Sequence, residues 1–176
     1  GGSNISIQNN NISVSPDATT TGGGLSPEVP NPLYTRKSAF NISSERVVLR
    51  DNVMQFAGSG ACVKTNSSNH YFVNNSCNGN TSYGFFFKNG VNVTFIDNNV
   101  SNSNITGTNM SDAASGAALY VDNGFNFTVT NLTVDIHPGV GIYLNSTQRV
   151  VVTTSTVSQT YRGVVLNASD NNRLTQ

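Results

Sequence analysis

The residues of this chain best suited to acid–base chemistry are Asp135, His137 and Arg162. A carboxylate, an imidazole and a guanidinium brought together beside an exposed corner could bind or cleave a sugar polymer. The segment DIHPG also has a simpler interpretation, because Pro138 and Gly139 are typical of a tight turn. We favour the turn and expect the chain not to be an enzyme, with polysaccharide lyase or glycoside hydrolase activity as the alternative.

The sequence offers no pattern typical of a cofactor or metal site. Its two His and two Cys are scattered, without the spacing of metal ligands. The segment TGGGL lacks the lysine and the strand-to-helix context of a phosphate-binding loop. We therefore expect no metal and no cofactor.

A second kind of chemistry, attachment of sugar to asparagine, is indicated by Asn-x-Ser/Thr sequons. The chain contains 14 sequons, whereas about six would arise from a random scatter of its 27 Asn and 39 Ser and Thr. They begin at Asn4, Asn11, Asn41, Asn66, Asn74, Asn80, Asn92, Asn99, Asn104, Asn109, Asn126, Asn131, Asn145 and Asn167. Turn chemistry also enriches Asn near Ser and Thr, which accounts for part of the excess. We predict N-glycosylation at several of these sites.

The composition excludes two classes of partner. Nine basic and nine acidic residues in 176 give no net charge, so nothing favours nucleic acid or an anionic membrane surface. No apolar run approaches the roughly 20 residues that cross a bilayer. Abundant Asn, Ser and Thr favour turns and strands over helices.

Internal repeats predict how these residues are positioned. Six segments align without gaps, beginning at Asn4, Arg46, Asn69, Asn92, Asn126 and Arg149. Their fourth column is apolar and reads Ile7, Leu49, Phe72, Phe95, Val129 and Val152. Their ninth column reads Ile12, Met54, Cys77, Val100, Val134 and Val157. Apolar residues alternate with a period of two, which indicates strands.

A second repeated block, such as YGFFFKNG from Tyr83, precedes most of these segments and adds a further strand. One period therefore holds about three short strands in a unit of 23 residues, with two longer intervals of 42 and 34. Such a unit buries its apolar face only by stacking on its neighbours. The pattern predicts an all-β, right-handed parallel β-helix of about six coils.

This pattern resembles the right-handed parallel β-helix repeat family with the pectate-lyase-like fold. The resemblance implies a fold and leaves function open, because the family includes polysaccharide lyases, hydrolases, adhesins and surface proteins. It also implies a ladder of inward asparagines at one turn. The sixth column, with Asn74 and Asn131, resembles that ladder, and Asp51 and Asp97 would replace asparagine there and bond backbone amides.

These alignments set our expectations for the sequons. Asn74 and Asn131 are expected to point inward and to be poorer acceptors. The sequons at strand boundaries, among them Asn92, Asn126 and Asn145, are expected to face solvent.

We predict one domain over residues 1–176, interrupted by surface loops at about 15–38 and 101–115. Both loops follow the ninth column, so they should emerge from the same corner. Cys77 is in an inward column, and a disulfide to Cys62 and two buried free thiols are both compatible with the sequence.

No cap is evident at either end of the sequence, and open ends of a β-helix invite further stacking. The absence of a signal peptide suggests a mature segment or part of a longer chain. We therefore expect an extracellular or cell-surface N-glycosylated structural solenoid that stacks end to end on copies of itself or on further coils. The alternative is a carbohydrate-binding adhesin or a fragment of a polysaccharide-degrading enzyme.

Overall fold

Nineteen strands form three parallel sheets in the computed structural model, which describes residues 4–14, 38–57, 60–80, 82–101 and 116–176. The first sheet comprises β1 (Ile5–Gln8), β4 (Val47–Arg50), β7 (Tyr71–Val73), β10 (Val91–Ile96), β13 (Phe125–Thr130), β16 (Gln148–Thr153) and β19 (Arg173–Thr175). The second comprises β2 (Asn11–Val14), β5 (Val53–Ala57), β8 (Ser76–Asn80), β11 (Asn99–Ser101), β14 (Thr133–Asp135) and β17 (Thr156–Val157). The third comprises β3 (Ser38–Ile42), β6 (Ala61–Thr65), β9 (Tyr83–Lys88), β12 (Ala117–Asp122), β15 (His137–Asn145) and β18 (Thr160–Asn167).

The chain visits the three sheets in turn, so each coil lies on the previous one. Phe72 is in register with Phe95, Phe95 with Val129, and Val129 with Val152. In the second sheet Cys77 is in register with Val100 and Val100 with Val134. The predicted fourth and ninth columns are therefore confirmed, as is the β-helix with three short strands per coil.

Five large aromatic side chains fill the middle of the interior, with exposed fractions of zero. They are Phe72, Phe85, Phe87, Phe95 and Phe127. Their rings meet mostly edge to face, for example Phe85 with Phe95 at 4.7 Å between centroids. Such contacts add to the stabilisation that burial of apolar area provides.

The corners of the coils require a left-handed backbone, which explains much of the asparagine content. Eighteen of the described residues other than glycine have positive φ, including Asn74 (52°), Asn92 (54°) and Asn131 (52°). Asparagine and aspartate tolerate this conformation better than other side chains with a Cβ. The corners therefore favour Asn or Asp in coil after coil.

The inward ladder lies one residue beyond the position predicted for it. Asn74 and Asn131 are exposed, whereas the following column contributes the buried asparagines Asn52, Asn75 and Asn98. The prediction was wrong because the left-handed residue at a corner turns its own side chain outward, so that the next side chain points inward.

The side chains of the buried ladder form hydrogen bonds with one another and with the backbone. The Asn75 Nδ2 donates to the Leu49 carbonyl and to the Asn98 Oδ1, each at 2.9 Å. The Asn52 Nδ2 donates in the same direction to the Asn75 Oδ1 at 2.9 Å. Asp51 and Asp97 are not part of this ladder; they accept from the exposed Asn74 and Asn131 side chains, at 2.8 Å each, rather than from backbone amides.

A disulfide joins Cys62 of β6 to Cys77 of β8 across the interior. Both residues have exposed fractions of zero, so the bond links the second and third sheets from within. Of the two alternatives left open by the sequence, the structure contains the disulfide.

The predicted loop insertions fall almost wholly on residues 15–37 and 102–115, which lie outside the described residues, as do Asn104 and Asn109. In chain order both stretches follow a strand of the second sheet and precede a strand of the third.

Gly84 in β9 permits close packing of the third sheet on the interior. A Cβ there would lie 2.5 Å from the Ala118 carbonyl oxygen and 2.6 Å from the Val100 Cγ2. We expect Gly84→Ala to lower the free energy of unfolding by about 1–3 kcal/mol through overpacking. Gly90 is the control, because a Cβ there would meet its nearest neighbour, the Val93 Cγ2, at 3.4 Å, which is an ordinary contact. Equal urea midpoints for the two alanine variants would contradict this expectation.

Candidate functional site

The three candidate catalytic residues lie at neighbouring positions, but they do not form an accessible acid–base group. His137 is in register with Thr160, and Arg162 with Val140, as the repeat predicts. His137 is fully buried, whereas the Arg162 guanidinium lies over the exposed Tyr161 ring at 5.6 Å. No hydrogen bond or ion pair in the described part of the chain connects the three side chains.

Asp135 and His137 have separate structural partners. The Asp135 Oδ1 accepts from the Ser158 hydroxyl at 2.8 Å and from the Gln159 Nε2 at 3.1 Å. The His137 Nδ1 accepts from the Gly139 backbone N–H at 3.2 Å. The proton of the neutral ring is therefore on Nε2, which is buried and lacks a hydrogen-bond partner among the described residues.

Burial lowers the pKa of His137 to about 4. In the unfolded chain the imidazole has its ordinary pKa of about 6.5, so below that pH the unfolded state binds a proton that the folded state does not. The contribution of neutral His137 to stability is thus complete above pH 6.5 and is lost as the pH falls towards 4. We expect a loss of about 3 kcal/mol over this window.

Urea unfolding at pH 7 and pH 4 measures this loss. His137→Asn is the matched variant, since the asparagine Oδ1 can replace Nδ1 as an acceptor but does not titrate. The stability difference between the two pH values should be smaller in the variant by about 3 kcal/mol. An identical difference in both proteins would show that His137 is not responsible.

A second buried histidine, His70, lies beside two hydroxyl groups that the sequence analysis did not single out. Its Nε2 is 3.0 Å from the Ser67 Oγ and 3.0 Å from the Thr65 Oγ1. Its Nδ1 accepts from the Val47 N–H at 3.3 Å, so Nε2 carries the proton. His70 consequently donates to these hydroxyls and cannot remove a proton from Ser67. Burial is the main cause that lowers the pKa of His70.

Most of the sequon asparagines lie on the surface of the solenoid. Nine of their asparagines are exposed and two are half-buried. The exposed ones are Asn4, Asn11, Asn41, Asn66, Asn74, Asn92, Asn126, Asn131 and Asn167; the half-buried ones are Asn99 and Asn145. The backbone of Asn80 ends β8, but its side chain lies outside the described set. None of the buried ladder residues Asn52, Asn75 and Asn98 begins a sequon.

Several exposed sequons belong to outer rungs, which we define as side-chain hydrogen bonds between asparagines, or asparagine and aspartate, of adjacent coils. The Asn126 Nδ2 donates to the Asn92 Oδ1, and the Asn167 Nδ2 to the Asn145 Oδ1, at 2.7 Å each. An amide nitrogen has two hydrogens, so one can serve the rung while a sugar replaces the other. Rung formation and glycosylation are therefore compatible at a single asparagine.

A cleft of about 420 Å³ lies on the outer face of the third sheet. Its lining combines amides, hydroxyls, two lysines, a carboxylate and an aromatic ring: Asn41, Ser43, Lys64, Thr65, Asn66, Phe86, Lys88, Asn89 and Asp122. None of the sequence motifs predicted this site. Aligning the second repeated block would have found it, because Lys64 is in register with Phe86 and Lys88 with Asp122.

The outer aromatic residues next to this cleft stack on one another. Phe86 and Tyr120 lie 5.0 Å apart with an interplanar angle of 2°, and Tyr120 and Tyr143 lie 5.0 Å apart at 23°. Phe86 and Tyr120 have exposed fractions of only 5% and 7%, so their faces are used for this stack.

Within the described ranges, no group of three or more His, Cys, Asp or Glu side chains could hold a metal ion. The described residues likewise include no helix long and apolar enough to cross a membrane.

Comparison with known families agrees with this architecture. The model of a family described as the right handed beta helix region matches residues 33–176. The chain belongs to the right-handed β-helix family. Searches of curated proteins and of solved structures gave no match.

Proposed function

We propose that this chain is an extracellular or cell-surface structural solenoid that carries N-linked glycans on its corners. The observation that carries the proposal is the partition of the asparagines. The buried ladder contains no sequon, whereas nine of the 11 sequon asparagines with described side chains are exposed. Sugar transferred to these side chains would extend into solvent and shield the backbone from proteases.

The disulfide between Cys62 and Cys77 supports the extracellular part of the proposal. Disulfides persist mainly in oxidising compartments, which are also those in which N-linked sugars are transferred and displayed. The inaccessibility of His137 supports a structural role over a catalytic one.

Intact mass spectrometry of protein from its native source, before and after chemical removal of glycans, tests this proposal. We expect a mass decrease that corresponds to several glycans. Glycopeptide analysis should place them among the exposed sequons. An unchanged mass would refute glycosylation.

We further propose that additional coils cover the end formed by β17, β18 and β19, each of which pairs with a strand of the described residues on one side only. Val164, Leu166 and Leu174 continue interior columns at this end and are 40%, 49% and 42% exposed. The covering coils belong to this chain or to a second copy.

Sedimentation and electron microscopy test this assembly. Leu166→Glu combined with Leu174→Glu should abolish elongated particles, because two charges would replace the apolar contact. Val53→Glu is the control, since Val53 is similarly exposed at 37% but lies on the side of the solenoid. A compact, stable monomer of the unaltered protein would contradict end-to-end stacking.

The cleft on the third sheet supports a second candidate, binding of an acidic oligosaccharide. Lys64 and Lys88 could pair with its carboxylates, and the Asn89 amide and the Ser43 hydroxyl with its hydroxyls. Calorimetric titration with an oligogalacturonate tests it; binding should be lost in Lys64→Ala combined with Lys88→Ala. No binding by the unaltered protein would eliminate this candidate.

A further inference from the structure

We infer that sequons on adjacent coils of one corner exclude each other, so that the folded protein carries one glycan for each such pair. The inference rests on the proposed glycosylation. It concerns two pairs, Asn92 with Asn126 and Asn145 with Asn167.

The first pair shows the geometry most clearly. Asn92 and Asn126 are both exposed, have φ angles of 54°, and follow one another along the same corner. The Asn126 Nδ2 lies 2.7 Å from the Asn92 Oδ1, and the Asn92 Nδ2 donates in turn to Asn69 at 3.2 Å. Both amides are thus held in one line, at the strand spacing of about 4.8 Å.

Glycosylation of either asparagine replaces one of the two hydrogens on its amide nitrogen. The amide nitrogen forms a bond to the anomeric carbon of a lipid-phosphate-linked sugar, and the bond from that carbon to the phosphate oxygen breaks. The phosphate carrier leaves with the bonding electron pair, and the nitrogen gives up one proton to solvent. The remaining amide hydrogen can still donate to the rung.

A second glycan on the neighbouring rung has no comparable space. The first hexosamine rings could stack on each other at this distance, but N-linked glycans branch beyond them, and two branched oligosaccharides attached one strand spacing apart would compete for the same space. A chain modified at both positions must separate the coils, because loss of the exposed rung alone would leave the two backbones one strand spacing apart. Folded molecules therefore carry a glycan at only one asparagine of the pair, whether the sugar is added before or after folding.

The corner that contains Asn74 and Asn131 provides the contrast within the same molecule. Asp97 lies between these two sequons, and Asn131 donates to it at 2.8 Å. Asn74 and Asn131 are consequently two coils apart, about 10 Å by the strand spacing. Both can carry glycans at the same time.

The second pair repeats the first. The Asn167 Nδ2 donates to the Asn145 Oδ1 at 2.7 Å, and Asn145 donates to Asp122 at 2.7 Å. Asn145 is half-buried and Asn167 is exposed. The same exclusion applies, with one glycan shared between the two positions.

The experiment removes each sequon while keeping its asparagine in the rung. Thr94→Ala and Thr128→Ala inactivate the sequons of Asn92 and Asn126, and Ser76→Ala and Thr133→Ala those of Asn74 and Asn131. The full chain is produced in a glycosylating host, and the number of glycans per molecule is read from its intact mass.

We expect Thr94→Ala and Thr128→Ala each to leave the glycan number unchanged and the double variant to lose one glycan. In the control pair each single variant should lose one and the double variant two. Glycopeptide mapping of the unaltered protein provides a readout that needs no variant: the occupancies of Asn92 and Asn126 should sum to one, and those of Asn74 and Asn131 should exceed one.

Other results would overturn the inference. Loss of one glycan in each of Thr94→Ala and Thr128→Ala would show that both sites are filled together, with the proposed glycosylation intact. Loss in only one of them would show a single fixed site without exchange. Absence of glycans from all sequons would overturn the inference and the proposed function together.

Discussion

Phe95→Ala is expected to lower the free energy of unfolding by about 3–5 kcal/mol, among the largest effects of any single substitution in this chain. Phe95 has an exposed fraction of zero and lies in the fourth column between Phe72 and Val129. Its ring meets Phe85 at 4.7 Å and Phe87 at 6.0 Å. Alanine would leave a cavity that the coils above and below cannot close, because their backbones are hydrogen-bonded to the same strand.

Urea denaturation followed by circular dichroism measures this effect. Phe125→Ala is the matched control, because Phe125 is 37% exposed and contacts Arg149 on the outside of the same sheet. Its loss should cost about 1 kcal/mol or less. Similar losses in the two variants would mean that the fourth column does not form the interior.

Asn75→Ala is expected to cost about 4 kcal/mol, although it removes only a small polar side chain. The substitution leaves the Asn52 N–H without its side-chain acceptor, and the Leu49 carbonyl without the Asn75 donor. It also removes two amide–amide bonds of the buried ladder, the one from Asn52 to Asn75 and the one from Asn75 to Asn98. Each buried polar group that loses its partner costs about 1–3 kcal/mol.

Asn74→Ala, at the adjacent residue, removes an outer rung and leaves the buried ladder intact, so it shows how much more the ladder contributes to stability. Asn74 is exposed, and its bond to Asp51 competes with water. The main cost is that of alanine in a left-handed backbone, about 1 kcal/mol. A larger loss for Asn74→Ala than for Asn75→Ala in thermal unfolding would reverse the assignment of the two columns.

The sequence was sufficient to predict the strands, their register and the interior columns, because alternation of apolar residues fixes which face of a strand is buried. Phe72, Phe95 and Val129 follow this rule without exception. The corners were predicted less well. A left-handed residue turns its own side chain outward where alternation would place it inward, so alternation could not tell the Asn74 column from the Asn75 column.

The sites were less predictable than the fold. Asp135, His137 and Arg162 follow the expected register, but the burial of His137 depends on packing that no short motif encodes. The cleft with Lys64 and Lys88 arises from side chains that are more than 20 residues apart in the sequence and meet only through the stacking of coils. A periodic sequence thus predicts which residues share a column, whereas the contacts of side chains that depart from the period are seen only in the structure.

Because the columns share one register, the length of this protein can change by whole coils. Where coils lie 23 residues apart, as Asn52, Asn75 and Asn98 do, each presents to the next coil the same surface that it receives from the previous one. Duplication or deletion of one such unit would leave both remaining neighbours with compatible surfaces. A gene encoding this architecture could therefore adjust the reach of its product in steps of about 4.8 Å, one coil at a time.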